Sequence, residues 1–285
     1  SLTMVGAYLG GLLMVVLISE GTPGILALIF FFIGVVVVFA LLTALGSVLE
    51  LTIVKPLYDR RPLYQILLTF GLAFVINDLM TIIVSIFGLE PITPWQDVFG
   101  TVPGLLSTTY TVGGLGIRGL AVFEIMFGVV VVAAIWWFLN RTRWGLYIRA
   151  GTEDVEMTEA LGINVPRTFT IVFGIGIGLA GVAGMLLMWD RAGILGNSGG
   201  ASILLSSRVL LPAFVVVIVG GLGTFEGTVV AGLLIGMVDS VMSWLFIEGI
   251  VPFAALPEIM IFLILIAVLA VRPLGLFGRE EVGRY

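Results

Sequence analysis

The most informative part of this sequence is RAGTEDVEMTEALGINVPR, which runs from Arg149 to Arg167. Six of its 19 residues are charged, in a 285-residue chain in which only 11% of residues are charged and 60% are hydrophobic. The run Thr168–Trp189 follows at once and contains no Asp, Glu, Lys or Arg. A short polar helix that interrupts a series of apolar segments, flanked by arginines, predicts a surface for a cytosolic partner.

Composition assigns the chain to the membrane class. Water-soluble domains carry about a quarter charged residues, whereas the mean hydropathy here is +1.22. A membrane span needs about 20 apolar residues, and the run Gly21–Leu49 has no charged residue at all. We therefore predict an all-α, polytopic membrane helix bundle of about eight transmembrane segments. These are Leu2–Ile18, Leu26–Leu49, Gln65–Phe87, Leu120–Leu139, Phe169–Trp189, Ile203–Gly220, Phe225–Phe246 and Pro252–Val271.

Two sequence features qualify this reading, which treats residues 1–285 as a single transmembrane domain. The segment Ile203–Gly220 contains Arg208 and Pro212, so it is either a full span or a broken, re-entrant helix. Residue 1 is Ser, and the chain opens almost inside an apolar segment. We therefore expect the natural N-terminus to extend further.

Several classes of chemistry are excluded by residues that the sequence lacks. Cysteine and histidine are absent, which excludes disulfides, thiolate or imidazole metal sites and His-based acid–base catalysis. The only lysine, Lys55, is followed by Pro56, so no Gly-x-x-x-x-Gly-Lys-Ser/Thr nucleotide-binding loop exists. We expect a protein that is not an enzyme and has no catalytic residue, metal or cofactor. Its net charge of −5 gives no reason to expect a nucleic-acid partner.

Basic residues cluster in three regions, and basic loops of membrane proteins face the cytosol. The regions are Glu50–Tyr64, residues 140–167 and the tail after Val271, and their basic residues are Lys55, Arg60, Arg61, Arg141, Arg143, Arg149, Arg167, Arg272, Arg279 and Arg284. The long stretch Gly88–Gly119 contains only one basic residue, Arg118, and is predicted to lie outside the cell membrane. Loops of that length usually have a function. This one either caps the mouth of the bundle or docks an external partner.

The polar segment predicts a short helix over Glu153–Leu161. Thr152 is the expected N-cap, and Glu153 and Asp154 lie in the first turn, where the helix dipole favours anions. Gly162 suits a left-handed residue just past the helix, and Pro166 prevents continuation.

One side of this helix is expected to meet a partner or the membrane surface. Val155, Ala160 and Leu161 are assigned to that side, with Glu156 and Glu159 in water. An ordinary connecting helix would show the same pattern, so both readings remain open.

Polar residues within the apolar segments are candidates for the translocation pathway, since ionisable groups are costly at membrane depth. Asn77 and Asp78 lie within the third segment and Asp239 within the seventh, and Arg208 is a candidate ion-pair partner for one of these acids. Structural ion pairs or polar helix contacts are the alternative for both acids. Glu124, near the outer end of its segment, is expected to be solvated.

Glycines recur at helical spacing in two apolar segments. Gly174, Gly178 and Gly181 share one face, as do Gly232 and Gly236. Small residues let helix backbones approach closely in lipid, so we assign these glycines to helix packing.

Six short blocks carry a resemblance to a known family. They are Gly6–Tyr8, Lys55–Leu57 with Arg60–Leu63, Glu159–Asn164 (EALGIN), Phe173–Gly184 (FGIGIGLAGVAG), Gly220–Gly227 (GGLGTFEG) and Arg272–Arg279 (RPLGLFGR). Together, and in this order over almost the whole chain, they resemble the permeases of branched-chain amino-acid ABC importers. The likeness is greater to the H-type subunit than to the M-type subunit.

The resemblance implies roles for particular residues. In that family the Glu-Ala…Gly element is a coupling helix that binds a groove of the cytosolic ATPase, which makes residues 145–168 the cytoplasmic coupling loop. The implied ATPase contacts are Glu153, Asp154, Glu159, Ala160, Gly162, Ile163 and Asn164. In the wider ABC pattern, Glu-Ala is followed by a second Ala, and a Gly comes four residues after that second Ala. In this sequence Leu161 stands in place of the second Ala, and Gly162 follows it directly. The location is implied, but the individual docking residues stay open.

The resemblance also implies an architecture and a set of partners. We expect a type II-like ABC importer permease in the cytoplasmic membrane of a prokaryote. The implied partners are a second permease subunit, cytosolic ABC ATPase subunits, an extracytoplasmic substrate-binding protein and the lipid bilayer. Urea and short-amide permeases share the pattern and are the first alternative to a branched-chain amino-acid permease. An ion-driven secondary carrier that uses Asp78 and Asp239 as proton or sodium sites is the second.

Overall fold

The computed structural model describes residues 1–18, 24–58, 60, 62–88, 90, 106, 108–112, 115–188, 201–253 and 255–278. Within these residues the chain forms ten α-helices and one β-hairpin. In chain order they are α1 (Leu2–Leu17), α2 (Gly24–Leu49), α3 (Pro62–Ile86), β1 (Thr109–Val112), β2 (Leu115–Arg118), α4 (Gly119–Arg141), α5 (Arg143–Glu153), α6 (Val155–Ala160), α7 (Val165–Leu187), α8 (Leu204–Gly220), α9 (Phe225–Ile247) and α10 (Leu256–Val271). A π-helical turn, Glu50–Val54, and a 3-10 turn, Lys55–Leu57, extend α2.

The predicted class, a polytopic bundle of apolar helices, is confirmed. Five helical runs are long and apolar enough to cross a membrane: Ile25–Leu57, Leu63–Ile86, α4, α7 and α9. The helices α1, α8 and α10 are apolar but have only 16, 17 and 16 residues. At 1.5 Å per residue they are about 24–26 Å long, somewhat short of a hydrocarbon core of about 30 Å. The count of eight spans therefore stays a prediction.

The sequence left open whether the segment Ile203–Gly220 is a full span or a broken, re-entrant helix, and α8 shows whether the helix is broken. Pro212 lies inside it, and proline removes one helical hydrogen bond because it has no N–H. The helix is nevertheless continuous from Leu204 to Gly220. This segment is one short helix and not two broken halves.

The helices group into two compact units, where the sequence predicts one domain. The first unit is Ser1–Trp189 with Gly200–Ile203, and the second is Asp190–Gly199 with Leu204–Tyr285. Each unit has buried residues of its own, because the closest helix packing occurs among α1, α2 and α7 in the first and among α8, α9 and α10 in the second.

In the first unit, small residues bring helix backbones together. A methyl group at Gly6 of α1 would lie 2.6 Å from the carbonyl carbon of Gly181 on α7, and one at Gly184 would lie 2.7 Å from the carbonyl carbon of Thr3. Because lipid chains are as apolar as the helix side chains, the hydrophobic effect does not drive helix association within a membrane. Close van der Waals packing of this kind stabilises the association instead. Phe31 of α2 and Met185 of α7 are both fully buried in this unit.

In the second unit, three helices enclose a small apolar core that also holds the tail. The core consists of Val215, Val219, Ala231, Ile235 and Ile261. After α10 the chain turns back, and the N–H groups of Leu276 and Phe277 donate to the carbonyl oxygens of Val219 (2.8 Å) and Gly220 (3.1 Å). The tail that begins at Arg272 therefore lies beside the turn between α8 and α9.

The hairpin is an exception to the predicted all-α class. Its strands pair antiparallel, with Thr109 opposite Arg118 and Val112 opposite Leu115. The Gly-Gly dipeptide between the short segments TYTV and LGIR is a strong hairpin signal. The turn residues Gly113 and Gly114, and Trp95 in the same predicted external stretch, lie outside the described residues.

Candidate functional site

The sequence predicted a single helix, Glu153–Leu161, in the polar segment 149–167. The structure instead has the end of α5, the whole of α6 and the start of α7 there. Glu153 is the last residue of α5. Asp154 then adopts an extended backbone (φ −151°, ψ 105°) and caps α6, since its Oδ1 accepts a hydrogen bond from the N–H of Met157 at 2.9 Å. Thr152 was predicted as the cap but lies in the last turn of α5, where its hydroxyl donates to a backbone carbonyl. Asp154 is the better cap because its negative charge also interacts favourably with the helix dipole.

The C-terminal end of α6 matches the prediction. Gly162 has a φ of +83°, a left-handed conformation that side chains with a Cβ rarely adopt. Its N–H donates to the carbonyl of Glu159 at 2.9 Å, and the N–H of Ile163 donates to the carbonyl of Thr158 at 3.4 Å. These two bonds form a Schellman motif, which satisfies carbonyls that a helix end otherwise leaves without donors.

The next helix, α7, begins at Val165, shortly after α6 ends at Ala160. The side-chain oxygen of Asn164 accepts a hydrogen bond from the N–H of Arg167 at 3.0 Å and so caps α7, with Pro166 in the first turn. The carbonyl of Asn164 also accepts from the hydroxyl of Thr168 at 3.1 Å. Asn164 therefore has a local structural role in addition to the docking role that the resemblance implies.

The surface of α6 carries exposed apolar side chains. Met157 and Leu161, four residues apart and therefore on one side of the helix, are 62% and 75% exposed, and we call these two residues the α6 patch. Val155 is 45% exposed on the other side of the helix. Glu156, Glu159 and Ala160 are exposed beside them. Thr158 is the one buried residue of this helix, and its hydroxyl donates to the carbonyl of Asp154 at 2.6 Å. The sequence placed Val155 and Leu161 on the partner side and missed Met157.

The helix α5, which leads into α6, packs on two longer helices through close glycine contacts. A methyl group at Gly145 of α5 would lie 2.7 Å from the Cα of Leu139 on α4. One at Gly151 would lie 3.0 Å from the side chain of Val165 on α7, which is almost fully buried. Glycine at both positions lets α5 lie directly on its neighbours α4 and α7.

A fully buried carboxylate, Glu50, lies where α2 changes into its π-helical turn. Its Oε1 accepts a hydrogen bond from the phenol of Tyr58 at 2.7 Å, and its Oε2 accepts one from the hydroxyl of Thr170 on α7. Single π-helical turns are rare and often occur at functional sites. We call Glu50, Tyr58 and Thr170 the Glu50 cluster. It joins the end of α2 to the first turns of α7, the helix that follows the polar segment.

Tyr58 is held in this cluster as a hydrogen-bond donor. Burial, then the hydrogen bond to Glu50 and the charge of that carboxylate, raise the pKa of Tyr58 well above its usual range. Its ring also packs edge-to-face on Phe169, with ring centroids 6.4 Å apart. The phenol therefore stays protonated and continues to donate to Glu50.

A polar cavity of about 210 Å³ lies among α8, α9 and α10 in the second unit. Its polar lining consists of Ser207, Arg208, Asp239 and Glu258, and its apolar lining includes Leu211, Ile261 and Phe262. Asp239 is only 2% exposed. The candidate ion-pair partner Arg208 thus lines the same cavity as Asp239. The sequence did not single out Glu258, although an acid at the start of an apolar helix was a usable signal.

The other polar residues of the apolar segments lie in the first unit. Asn77 is half-buried, and its side-chain oxygen accepts no hydrogen bond within the described residues. Asp78 is exposed on α3, although the helix around it is strongly apolar. Glu124 is half-buried near the start of α4, so the expectation of a solvated side chain holds only in part.

The glycines assigned to helix packing differ from one helix to the other. Methyl groups at Gly174 and Gly178 would each lie 2.9 Å from a carbonyl oxygen of α2, and one at Gly181 would lie 3.1 Å from the side chain of Leu42. On α9, a methyl group at Gly232 would make an ordinary contact of 3.8 Å, and one at Gly236 would meet nothing within 4 Å in the described part of the chain. The close approach expected at Gly236 is not formed here, because no helix of its own unit packs on that face.

Comparison with known protein families gives one match over most of the chain. Residues 1–269 match the family described as branched-chain amino acid transport system / permease component. The chain belongs to this family. It is a permease, a membrane transport subunit, and its relatives are transport subunits and not enzymes.

Curated relatives of this permease agree with the family match. The high-affinity branched-chain amino acid transport system permease protein LivH of Escherichia coli K12 is 25% identical over 286 residues, which covers 98% of this chain and 84% of LivH. BraD of Pseudomonas aeruginosa, of the same description, is 30% identical over 192 residues, 64% of this chain and 56% of BraD. The fructose import permease protein FrcC of Rhizobium meliloti is 32% identical over 113 residues, 38% of this chain and 29% of FrcC. No solved structure matches the permease.

Sequence reasoning missed two further features of the permease, apart from Glu258. Glu50 was taken only as the start of a basic loop, because its partner Thr170 is 120 positions away. Met157 was not assigned to the partner side. Of the predicted cytosolic basic residues, Arg61, Arg279 and Arg284 lie outside the described residues.

Proposed function

We propose that this permease is a membrane subunit of an ATP-binding-cassette importer for branched-chain or related small amino acids, with ATP hydrolysed by separate cytosolic subunits. The observation that carries the proposal is the α6 patch. The two exposed apolar side chains of this patch lie on one side of a helix that is capped at both ends, and exposed apolar surface marks a protein-binding site. The names of the relatives that cover nearly the whole chain support the choice of solute.

Energy coupling follows from the connections of α6. Closure of an ATPase dimer would displace α6, and the glycine contacts of α5 pass this displacement to α4 and α7. The Glu50 cluster then carries a movement of α7 to the end of α2, since both helices hold the same carboxylate. Such two-state rearrangements of packed helices are the usual basis of alternating access. The permease itself makes and breaks no covalent bond.

The orientation of the permease is supported by its basic residues. Lys55, Arg60, Arg149 and Arg167 lie around α6 and the end of α2, and Arg272 begins the tail. Assigning these regions to the cytosol agrees with the excess of arginine and lysine in cytosolic loops. Two helices, α3 and α4, separate the first basic region from the second, and four, α7 to α10, separate the second from the tail. Both numbers are even, as a common side requires when each of these helices crosses the membrane.

The opposite face would receive the external substrate-binding protein, and the hairpin is a described element of that face.

A second permease subunit is supported by α3. Asp78 is exposed on this apolar helix, and a carboxylate in contact with lipid is costly. A polar pathway or the second permease would remove that cost, which makes Asn77 and Asp78 candidate pathway residues. The assembly would lie in the cytoplasmic membrane of a prokaryote.

The solute is tested with the complete importer in proteoliposomes loaded with ATP. We expect the uptake of tritiated L-leucine to be competed by L-isoleucine and L-valine and not by urea, acetamide or fructose at the same concentration. A complex that takes up urea or acetamide and does not take up leucine would favour the alternative solutes. A variant of an exposed carboxylate that is not part of α6, Glu248→Gln, should behave as the unmodified protein does.

A further inference from the structure

The cavity among α8, α9 and α10 has an unusual combination of side chains for a site within apolar helices. A guanidinium (Arg208) and two carboxylates (Asp239 and Glu258) line a space of about 210 Å³. An ion pair that served only packing would require neither the space nor the second carboxylate. Ionisable groups at membrane depth are costly and mark functional sites by default.

The lining groups match the two charged ends of an amino acid. A guanidinium binds a carboxylate through two parallel hydrogen bonds, and carboxylates bind an ammonium group. The remaining wall is formed by Leu211, Ile261 and Phe262, which suits an aliphatic side chain. Ligand sites are typically apolar with a few well-placed polar groups, and those for drug-sized molecules have volumes of about 300–1,000 Å³. This smaller cavity suits a small solute.

The position of the cavity along the helices suits delivery from outside. Arg208 lies near the first turn of α8, Glu258 in the first turn of α10, and Asp239 in the second half of α9. The opposite ends of these helices hold the tail and the turn between α8 and α9, which are joined by the hydrogen bonds of Leu276 and Phe277. If the tail is cytosolic, the cavity lies in the half of the unit that is nearer to the outside.

We propose that this cavity is a binding site for the zwitterion of a small aliphatic amino acid. Arg208 binds the α-carboxylate, Asp239 and Glu258 bind the α-ammonium, and the apolar wall contacts the side chain. The site receives the solute at the outer half of the permease before it moves inward. This inference rests on the proposed function and adds to it the residues that recognise the solute.

Because the chain contains no cysteine, a single introduced thiol can report whether the cavity is occupied. Ser207→Cys places the reporter in the cavity lining, and Glu248→Cys places a control at an exposed position just after α9, outside the cavity. Both variants are reconstituted as the complete importer and modified with a membrane-impermeant methanethiosulfonate. We expect L-leucine to slow modification at position 207 and not at position 248.

Two analogues test recognition of the separate charges. Isoamylamine lacks the carboxylate and 4-methylvalerate lacks the ammonium, and each should need about a tenfold or higher concentration than L-leucine for the same protection, because hydrogen bonds to charged groups are the stronger class. Asp239→Asn in the Ser207→Cys background should raise the protective leucine concentration by a similar factor. Glu226→Gln, an exposed carboxylate on the same helix, should not.

Equilibrium binding of tritiated L-leucine to the complex without its external binding protein provides a second readout. Binding that Asp239→Asn weakens and Glu226→Gln does not supports the site. Protection or binding that is unchanged in Asp239→Asn would overturn it, as would the absence of leucine protection in a complex that still imports leucine. A complex that imports no leucine at all instead contradicts the proposed function, so the two failures are distinguishable.

Discussion

The hydroxyl of Thr170 on α7 donates a hydrogen bond to the buried carboxylate of Glu50, 120 positions earlier in the chain. This bond joins the π-helical end of α2 to the helix that follows the α6 patch. It is therefore the direct polar connection between the proposed ATPase-binding surface and a second long helix. The other oxygen of the same carboxylate is held by Tyr58.

Removal of the Thr170 hydroxyl should destabilise the protein. In Thr170→Val the buried carboxylate loses one donor, and a hydrogen bond to a charged group contributes about 1.5–3 kcal/mol. Thr170→Ser keeps the hydroxyl and should stay close to the unmodified protein. Thr228→Val is the matched control, since the hydroxyl of Thr228 donates to a backbone carbonyl of its own helix. Unfolding in detergent measures all three, and equal stability of Thr170→Val and Thr228→Val would contradict the assigned role.

Two neighbouring glycines of α7 should respond in opposite directions to the same change. Alanine normally stabilises a helix relative to glycine by about 0.5–1 kcal/mol. At Gly176 a methyl group would meet nothing within 4 Å of the described residues, so Gly176→Ala should be neutral or stabilising. At Gly178 it would lie 2.9 Å from the carbonyl oxygen of Phe39, and overpacking of this kind costs about 1–3 kcal/mol. Thermal unfolding that ranks Gly178→Ala as the more stable variant would show that α2 and α7 do not pack as described.

The helical framework could be predicted from sequence because long charge-free runs leave few alternatives in a membrane. The ends of the polar helix were harder. Thr152 and Asp154 are both good caps, and only the packing of α5 selects Asp154. The Glu50 cluster could not be found at all, because nothing local to Glu50 identifies Thr170 as its partner. In the same way, periodicity alone gave Gly178 and Gly236 the same role, although only Gly178 lies against a neighbouring helix.

A charge in the α6 patch should weaken ATPase binding without affecting folding. Leu161 is 75% exposed, so Leu161→Glu should leave the stability of the permease nearly unchanged. A buried, unpaired carboxylate in an interface is costly, so co-purification of the ATPase should fall at least severalfold. Leu222→Glu is the matched control, with the same 75% exposure in the turn between α8 and α9. Equal loss of the ATPase in both variants would mean that α6 is not the specific docking site.

The orientation can be tested by labelling introduced cysteines in the cysteine-free chain. Thr152 and Tyr110 are both exposed, and they lie on opposite sides in the proposed topology. A membrane-impermeant maleimide should label Thr152→Cys only from the cytosolic side and Tyr110→Cys only from outside. Labelling of both variants from the same side would reverse the assignment of one of these regions.

The central claim is tested most directly by measuring which energy source drives uptake, because an ATPase-binding role for the α6 patch requires that a separate ATPase drives transport. Proteoliposomes that contain the complete importer are supplied with external binding protein and tritiated L-leucine. We expect uptake that requires enclosed ATP, is stopped by vanadate and is insensitive to the collapse of proton and sodium gradients. Uptake that continues without ATP and follows either gradient would contradict the account and favour an ion-coupled carrier.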